Sequence, residues 1–443
     1  MRLSHPTRPT SHELGRAARV SCPLSSHGDL VVSSLRPDPV ALLDRQNADR
    51  LPELVPLRYE RMARSPLGFL QGAAAVMADD LAGTPTTGIM VQLCGDAHVG
   101  NFGLYQTPMG RLVFDIRDFD ETHAGPWEWD VKRLLASLAV AGRENGFTER
   151  QRRTVLLRTA RQYREAVRRF AVMSNLEVWF SQPDIDELRR HHRFTRALNL
   201  RTGRLPRGLT EVVDGERRLV ADPPSLVPAA DLLPEPARAD LEERVGILLE
   251  DYRATLSGDS QFLLDHFRVV EVARSAGSAG ATGTRSWIVR LAGRDTDEPL
   301  LLQVREAHRS VLYPLSSVET SSDHGKRVVT GQRLVQAAAD IFLGWQRVME
   351  GSGQRRDYYV REMRDWLPSV EIDRMVPYTM GLYGELCGWT LAHAHARSGD
   401  RIALAAYLGD DAEFEETTAE FAEAYADQNL HDFRRFQGVA NVA

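Results

Sequence analysis

The sequence predicts an α+β protein, with one small antiparallel sheet set between two mostly helical stretches. Three observations carry this. FRVVEVARSAG, GTRSWIVRLAG and EPLLLQVREA are strand-like runs separated by Gly-rich or charged turns, the pattern of a small antiparallel sheet. Helical patterning precedes them in PWEWDVKRLLASLAVAGRENG and over residues 148–175, and after them it runs to residue 443. At 443 residues, the chain is also long enough to bury more than one core.

Taken in order, residues 1–40 are rich in Arg, Ser, Pro and His and lack an apolar signal region, so 1–43 is expected to be a disordered extension. Helical patterning starts at VALLDRQNADRLPELVPLRYERM and is interrupted by Pro52 and Pro56. Residues 68–83 read as one small-residue helix closed by Gly83. GIMVQLCGD is an apolar run of strand length that leads into a polar loop, and residues 111–120 begin as a second strand. The next helix carries Pro126 near its start, where a missing N–H is tolerated. The Pro- and Gly-rich interval 200–240 reads as a linker or irregular insertion. After the three strands, residues 326–350 are expected to be helix, DYYVREMRDW a strand, and the remainder helical.

Composition excludes several classes. The net charge is −6, from 55 Lys+Arg against 61 Asp+Glu, so no nucleic-acid partner is expected. Cys22, Cys94 and Cys387 form no CxxC pair, which argues against a disulfide framework or structural zinc and fits the reducing cytoplasm. No window approaches the roughly 20 apolar residues of a membrane span. His191–His192 and His393/His395 are spaced too closely to share a helix face, so neither pair reads as a metal site.

The chemistry concentrates in CGDAHVGN and DIRDFDETH. Asp96 and Asn101 lie five residues apart on one loop, and Asp118 ends the next strand. Phosphoryl transfer needs such groups: a carboxylate to orient the attacking hydroxyl, and an amide oxygen with a second carboxylate to hold Mg²⁺. SAGSAGATGTRSW places Gly277, Gly280 and Gly283 between two strands, where backbone amides can approach phosphates closely.

CGDAHVGN resembles the HGDxHxxN loop of the aminoglycoside phosphotransferase and choline kinase branch of the protein-kinase-like superfamily, with Cys94 in place of the leading histidine. The resemblance implies a two-lobe fold, with a small sheet lobe and a larger helical lobe. Asp96 becomes the catalytic base and Asn101 a metal ligand. His98 is a second catalytic candidate, with a supporting hydrogen bond as its plainer role. DFDETHAGPWEWDVKRL resembles the metal-binding segment of that branch. It implies Asp118 as principal metal carboxylate, Asp120 and Asp115 as weaker candidates, and Asp130 as a buttress of the catalytic loop. EPLLLQVREA resembles the strand that carries the phosphate-binding lysine, and here that place holds Arg305. Gly277, Gly280, Gly283 and Arg305 are then the nucleotide-binding set.

Because the Gly-rich segment follows the catalytic loop, the lobe order would be permuted. Residues 44–260 form the helical lobe with the catalytic and metal loops, 261–365 the sheet lobe, and 366–443 the helices completing the first. From about residue 44 to 437 the chain also resembles a bacterial family known as domain of unknown function 2252, through LCGDAHxxNFG, GPWEWDVKRL and AHARSGD.

These readings converge on an ATP- and Mg²⁺-dependent phosphotransferase acting on a small hydroxylated molecule or a protein, with nucleotidyl transfer as a variant. A nucleotide-binding regulatory scaffold and a metal-dependent phosphoesterase are the alternatives.

Overall fold

The computed structural model describes residues 10–182, 209–213, 216–235, 237–293, 298–315, 322–349, 353–363 and 370–440. The protein is α+β. Helices α1 (Ser11–Ser21), α2 (Pro39–Asn47), α3 (Val55–Ala63), α4 (Pro66–Gly72) and α5 (Ala74–Ala82) lead into strand β1 (Met90–Leu93). Strands β2 (Phe102–Gln106), β3 (Leu112–Ile116) and β4 (His123–Pro126) follow, then helices α6 (Trp127–Glu144), α7 (Glu149–Ala171) and α8 (Asn175–Phe180).

The hairpin β5 (Thr210–Val213) and β6 (Glu216–Leu219) comes before β7 (Leu226–Pro228), α9 (Ala229–Leu232), α10 (Ala237–Arg253) and α11 (Gly258–Leu264). Then come β8 (Phe267–Ser275), β9 (Ser286–Gly293), β10 (Pro299–Glu306), α12 (His324–Val335), β11 (Gly344–Met349) and β12 (Arg355–Glu362). Helices α13 (Pro377–Ser398), α14 (Arg401–Leu408) and α15 (Glu413–Ala440) close the chain.

The main sheet is antiparallel, in the order β11-β12-β10-β9-β8-β7. Strand β10 shows how it divides the molecule. Successive side chains leave a strand on opposite faces. Leu300, Leu302 and Val304 pack on Val245, Leu249 and Tyr252 of α10, while Leu301, Gln303 and Arg305 take the other face. The helical part is built from both ends of the chain. Helix α13 packs along α7, and α15 lies against α6, so segments on either side of the sheet share one core.

Two short ribbons position the polar loops. β1 pairs with β4 and β2 pairs with β3, so the loop after β1 and the loop after β3 emerge side by side. Arg117 N–H donates to the Asn101 carbonyl at 2.8 Å and ties them together.

Four expectations change, the first being the linker at 200–240, whose described residues carry β5, β6, β7 and α9, with β7 pairing onto β8. Residues 344–349 are a strand, not the end of a helix, because GWQRVM finds its ladder partner in residues 355–360. Residues 68–83 are two helices broken at Ala73, where the Arg58 guanidinium takes the Gly72 carbonyl at 2.8 Å. Residues 10–43 are ordered in place of a disordered extension. Thr10 and Glu13 form a capping box. Arg36 bonds both Asp80 (2.8 Å) and Asp432 (2.6 Å), and His27 meets Tyr407 at 2.6 Å. Those partners are far away in sequence, so the basic composition gave no sign of them. Among the described residues, no helix is long and apolar enough to cross a membrane.

Candidate functional site

The loop after β1 is held from beneath. Asp130, on the first turn of α6, accepts from the amides of Cys94 (2.9 Å) and Gly95 (3.1 Å). His395 Nε2 lies 3.4 Å from Asp130 Oδ2, and Tyr163 Oη meets His395 Nδ1 at 2.7 Å. Ser137 Oγ accepts from Val99 N–H, and the Tyr383 hydroxyl donates to the Val99 and Phe102 carbonyls. Gly95 has a φ of +87°, and a Cβ there would sit 2.1 Å from the Glu121 carbonyl oxygen. Only glycine meets both demands, and the close approach brings the two loops together.

On this base Asp96 is gripped by Arg133, whose Nε donates to Oδ1 at 2.8 Å. His98 Nδ1 accepts from Gly100 N–H at 3.1 Å, and its Nε2 stands 3.7 Å from Asp96. Burial pushes the imidazole pKa down, against the pull of Asp96, which favours the neutral ring. His98 is therefore engaged within the loop. Asn101 Nδ2 donates to the Asp96 carbonyl at 2.8 Å, leaving Oδ1 without a partner among the described residues.

Asp118 and Asp120 face Arg305 from the second loop. Arg305 Nη1 is 3.5 Å from Asp118 Oδ2, and its other terminal nitrogen forms a close ion pair with Asp120. Tyr359 donates to Asp120 Oδ1 at 2.8 Å. Burial works against ionisation of Asp118, but Arg305 and then Arg361 outweigh it and hold this carboxyl below its usual range. Asp115 stands apart. It is buried on β3, accepts from the amides of Ile116 and Ala337, and is pushed up to about 6 by burial.

The Gly-rich hairpin between β8 and β9 covers these groups. A cleft of about 180 Å³ is lined by Asp96, His98, Asn101, Asp118, Asp120 and Arg305 on one side, and by residues 278–281 on the other. Gly280 lines it, whereas Gly277 and Gly283 flank it as positive-φ corners, at +67° and +91°. The hairpin is pinned by its carbonyls. Arg50 donates to those of Thr282 (2.6 Å) and Gly280 (2.9 Å), and Arg61 to that of Gly277 (2.6 Å). Among the described residues, the amides of Ser278, Ala279, Gly280 and Ala281 meet no acceptor.

Residues 50–438 match the family described as an uncharacterised protein conserved in bacteria, DUF2252. The chain belongs to the DUF2252 family. No curated protein and no solved structure matches it.

Sequence reasoning missed several residues of this DUF2252 site. Arg133, Tyr359, Arg50 and Arg61 all reach it from distant segments. Arg133 is three residues after Asp130 on the same helix, the one signal of its part. His395 supports Asp130, while His393 meets the Val178 carbonyl at 2.9 Å. His191 and His192 lie outside the described residues. Asp427 is a largely exposed partner of Arg143, and Trp127 and Trp129 are core side chains. Cys94 is buried, and burial, reinforced by Asp130, pushes its thiol pKa up, away from a nucleophile's range.

The donor set suits a hard cation. Asn101 Oδ1 and the Asp118 carboxylate are oxygen donors lining one cleft, and Mg²⁺ is a cation that takes one or two such protein groups and completes its shell with phosphate and water. Among the described residues, no three His, Cys, Asp or Glu side chains gather as a metal cluster.

Proposed function

We propose that DUF2252 in this chain is a phosphotransferase that moves the terminal phosphoryl group of ATP to a hydroxyl, with a kinase-like arrangement of its two lobes in permuted order. One observation carries the reading. Ser278–Ala281, nearly 180 residues downstream, line the same cleft as Asp96, Asn101 and Asp118. The order of parts supports it too. A Gly-rich hairpin, a strand bearing a cation, a helix and two further strands follow one another as the parts of a kinase small lobe do.

Asp96 would orient the acceptor hydroxyl and receive its proton. The acceptor oxygen forms its bond to the γ-phosphorus as the bond to the leaving ADP oxygen breaks. The amides of residues 278–281 and Arg305 would hold the phosphates. Asn101 and Asp118 would hold Mg²⁺, which when bound supplies positive charge at the phosphate oxygens. Asp130 fixes the backbone next to Asp96.

The contact of Arg305 with both carboxylates favours a second reading, a nucleotide-binding scaffold without turnover. The two-metal phosphoesterase has no ligand cluster among the described residues.

The test compares ATP affinity in Mg²⁺ and in EDTA for the parent and Asp118→Asn. The parent should bind more tightly with Mg²⁺, and the variant should lose most of that gain. Equal affinity in both buffers would sink the proposed site. Turnover of labelled ATP with sugars, amino alcohols or bulk protein separates enzyme from scaffold.

A further inference from the structure

The cleft continues past Arg305. Toward the C-terminal end of β10 it opens into a second compartment of about 220 Å³, which shares Gln46, Asp120, Glu121 and Gly280 with the first. A third hollow lies at the other end, near Met363, where Arg361 bonds Gln303 at 2.9 Å. The two end compartments flank the Arg305–Asp118 contact and differ in chemistry. The Met363 end is lined by Leu104 and Tyr105 together with amides and charged groups of both signs. The opposite end offers Arg45, Arg50, His308 and Arg309, with Val311 as its aliphatic side chain.

Three of those cations lack a carboxylate partner among the described residues. Arg50 is buried; its terminal nitrogens hold the Gly-rich hairpin, and its Nε has no partner. Arg309 is exposed and lies over the Tyr313 ring at 3.7 Å. Arg45 is exposed on α2. The carboxylates nearby are mostly committed. Glu306 is taken by Arg356 (2.6 Å) and Arg285 (3.1 Å), with His308 at 3.4 Å, and Asp120 is taken by Arg305. Glu121 accepts from Val311 N–H at 2.7 Å, and Asp49 is exposed at the rim. Three guanidinium charges without a carboxylate contact therefore face two carboxylates without a cation in contact, and the forks of Arg45 and Arg309 are the exposed ones. Planar forked donors in excess favour phosphate or carboxylate.

We propose that this compartment is the acceptor pocket, and that its occupant is a small hydroxylated molecule bearing an anionic group, phosphate or carboxylate, clamped by Arg45 and Arg309 with the buried charge of Arg50 behind them. This rests on the phosphotransfer reading and deepens it. With its anion on the arginines, the acceptor presents its hydroxyl to Asp96. That oxygen bonds to phosphorus as ADP leaves, and the proton passes to Asp96.

The experiment uses the full chain with a non-hydrolysable ATP analogue and Mg²⁺ at saturation. Inorganic phosphate, glycerol 3-phosphate, glycerate and glycerol are each titrated by calorimetry. At least one anionic probe should bind about tenfold or more tightly than glycerol, and Arg309→Gln and Arg45→Gln, both at exposed positions, should weaken it about tenfold, or 1.4 kcal/mol. Analogue affinity should stay within about twofold in both variants. A phosphate or carboxylate preference then identifies the anion.

Anionic probes that bind no better than glycerol, or equally well to both variants, would overturn the proposal. So would variants that lose the analogue together with the probe, since the arginines would then belong to the donor. Failure of the analogue to bind the parent overturns phosphotransfer instead, and arginine-dependent anion binding is judged separately by the same two variants.

Discussion

Asp130 tests whether the loop carrying Asp96 is held from beneath. Its carboxylate is 1% exposed and accepts two backbone amides, from Cys94 at 2.9 Å and Gly95 at 3.1 Å. Asp130→Asn keeps the shape but offers one acceptor oxygen, so one buried amide is left facing an NH₂ group. Orphaning a buried donor costs about 1–3 kcal/mol, so the variant should unfold about 2 kcal/mol more easily in urea at unchanged m. Tyr163→Phe supplies the second arm. Tyr163 and Asp130 grip opposite nitrogens of the same His395 ring. Loosening either one leaves the ring less able to serve the other, so the double variant should depart from additivity by at least about 0.5 kcal/mol. Asp130→Asn within about 0.5 kcal/mol of the parent, or additivity within about 0.3 kcal/mol, would refute the reasoning.

Two other perturbations follow from single positions. Gly95→Ala places a Cβ 2.1 Å from the Glu121 carbonyl in a backbone with φ +87°; the left-handed conformation alone costs about 1–2 kcal/mol, so thermal unfolding should fall by several degrees, and an unchanged midpoint would contradict the loop contact. Asp115, pushed up from 3.8 to about 6, binds its proton more tightly when folded, so its stabilising contribution is full below pH 4 and is lost as pH rises through 6. Asp115→Asn should therefore gain on the parent between pH 4 and 7, by something on the order of 3 kcal/mol, and parallel pH profiles would count against it.

What the sequence disclosed and what it hid divide along contact distance. The strands at 267–306 were legible because alternation and glycine turns are local signals, and the meeting of Asp96, Asn101 and Asp118 in one cleft because their two loops lie close together in sequence. Arg133 was hidden because a cationic residue in a helix reads as surface, yet it reaches Asp96 and the Leu70 carbonyl at 2.8 Å. Arg50 and Arg61 were hidden for a stronger reason. Their partners are carbonyls more than 200 residues away, and a backbone acceptor leaves no trace in the sequence. GWQRVM was ambiguous because six residues fit either period, and only the pairing with residues 355–360 decides.

Arg305 is where the proposed chemistry and the observed contacts meet. The phosphate-binding lysine of a kinase finds its counter-ion in a glutamate of the following helix. Here that helix reads HGKRVVTGQRLV and contains no acid. Its Arg327 instead holds the carbonyls of Thr122 (2.6 Å) and Asp120 (2.8 Å), which fixes the loop after β3 by its backbone. With no acid on that helix, buried Arg305 takes the two carboxylates that the loop presents. On the phosphotransfer reading, one cation thus serves two tasks. Each contact that it makes with phosphate is one withdrawn from Asp118 or Asp120, and a carboxylate so released is available to a metal. Phosphate and metal would then bind together more readily than either binds alone, which is why ATP affinity with and without Mg²⁺ tests whether Arg305 leaves its carboxylates. A site that keeps Arg305 on its carboxylates would show no such linkage.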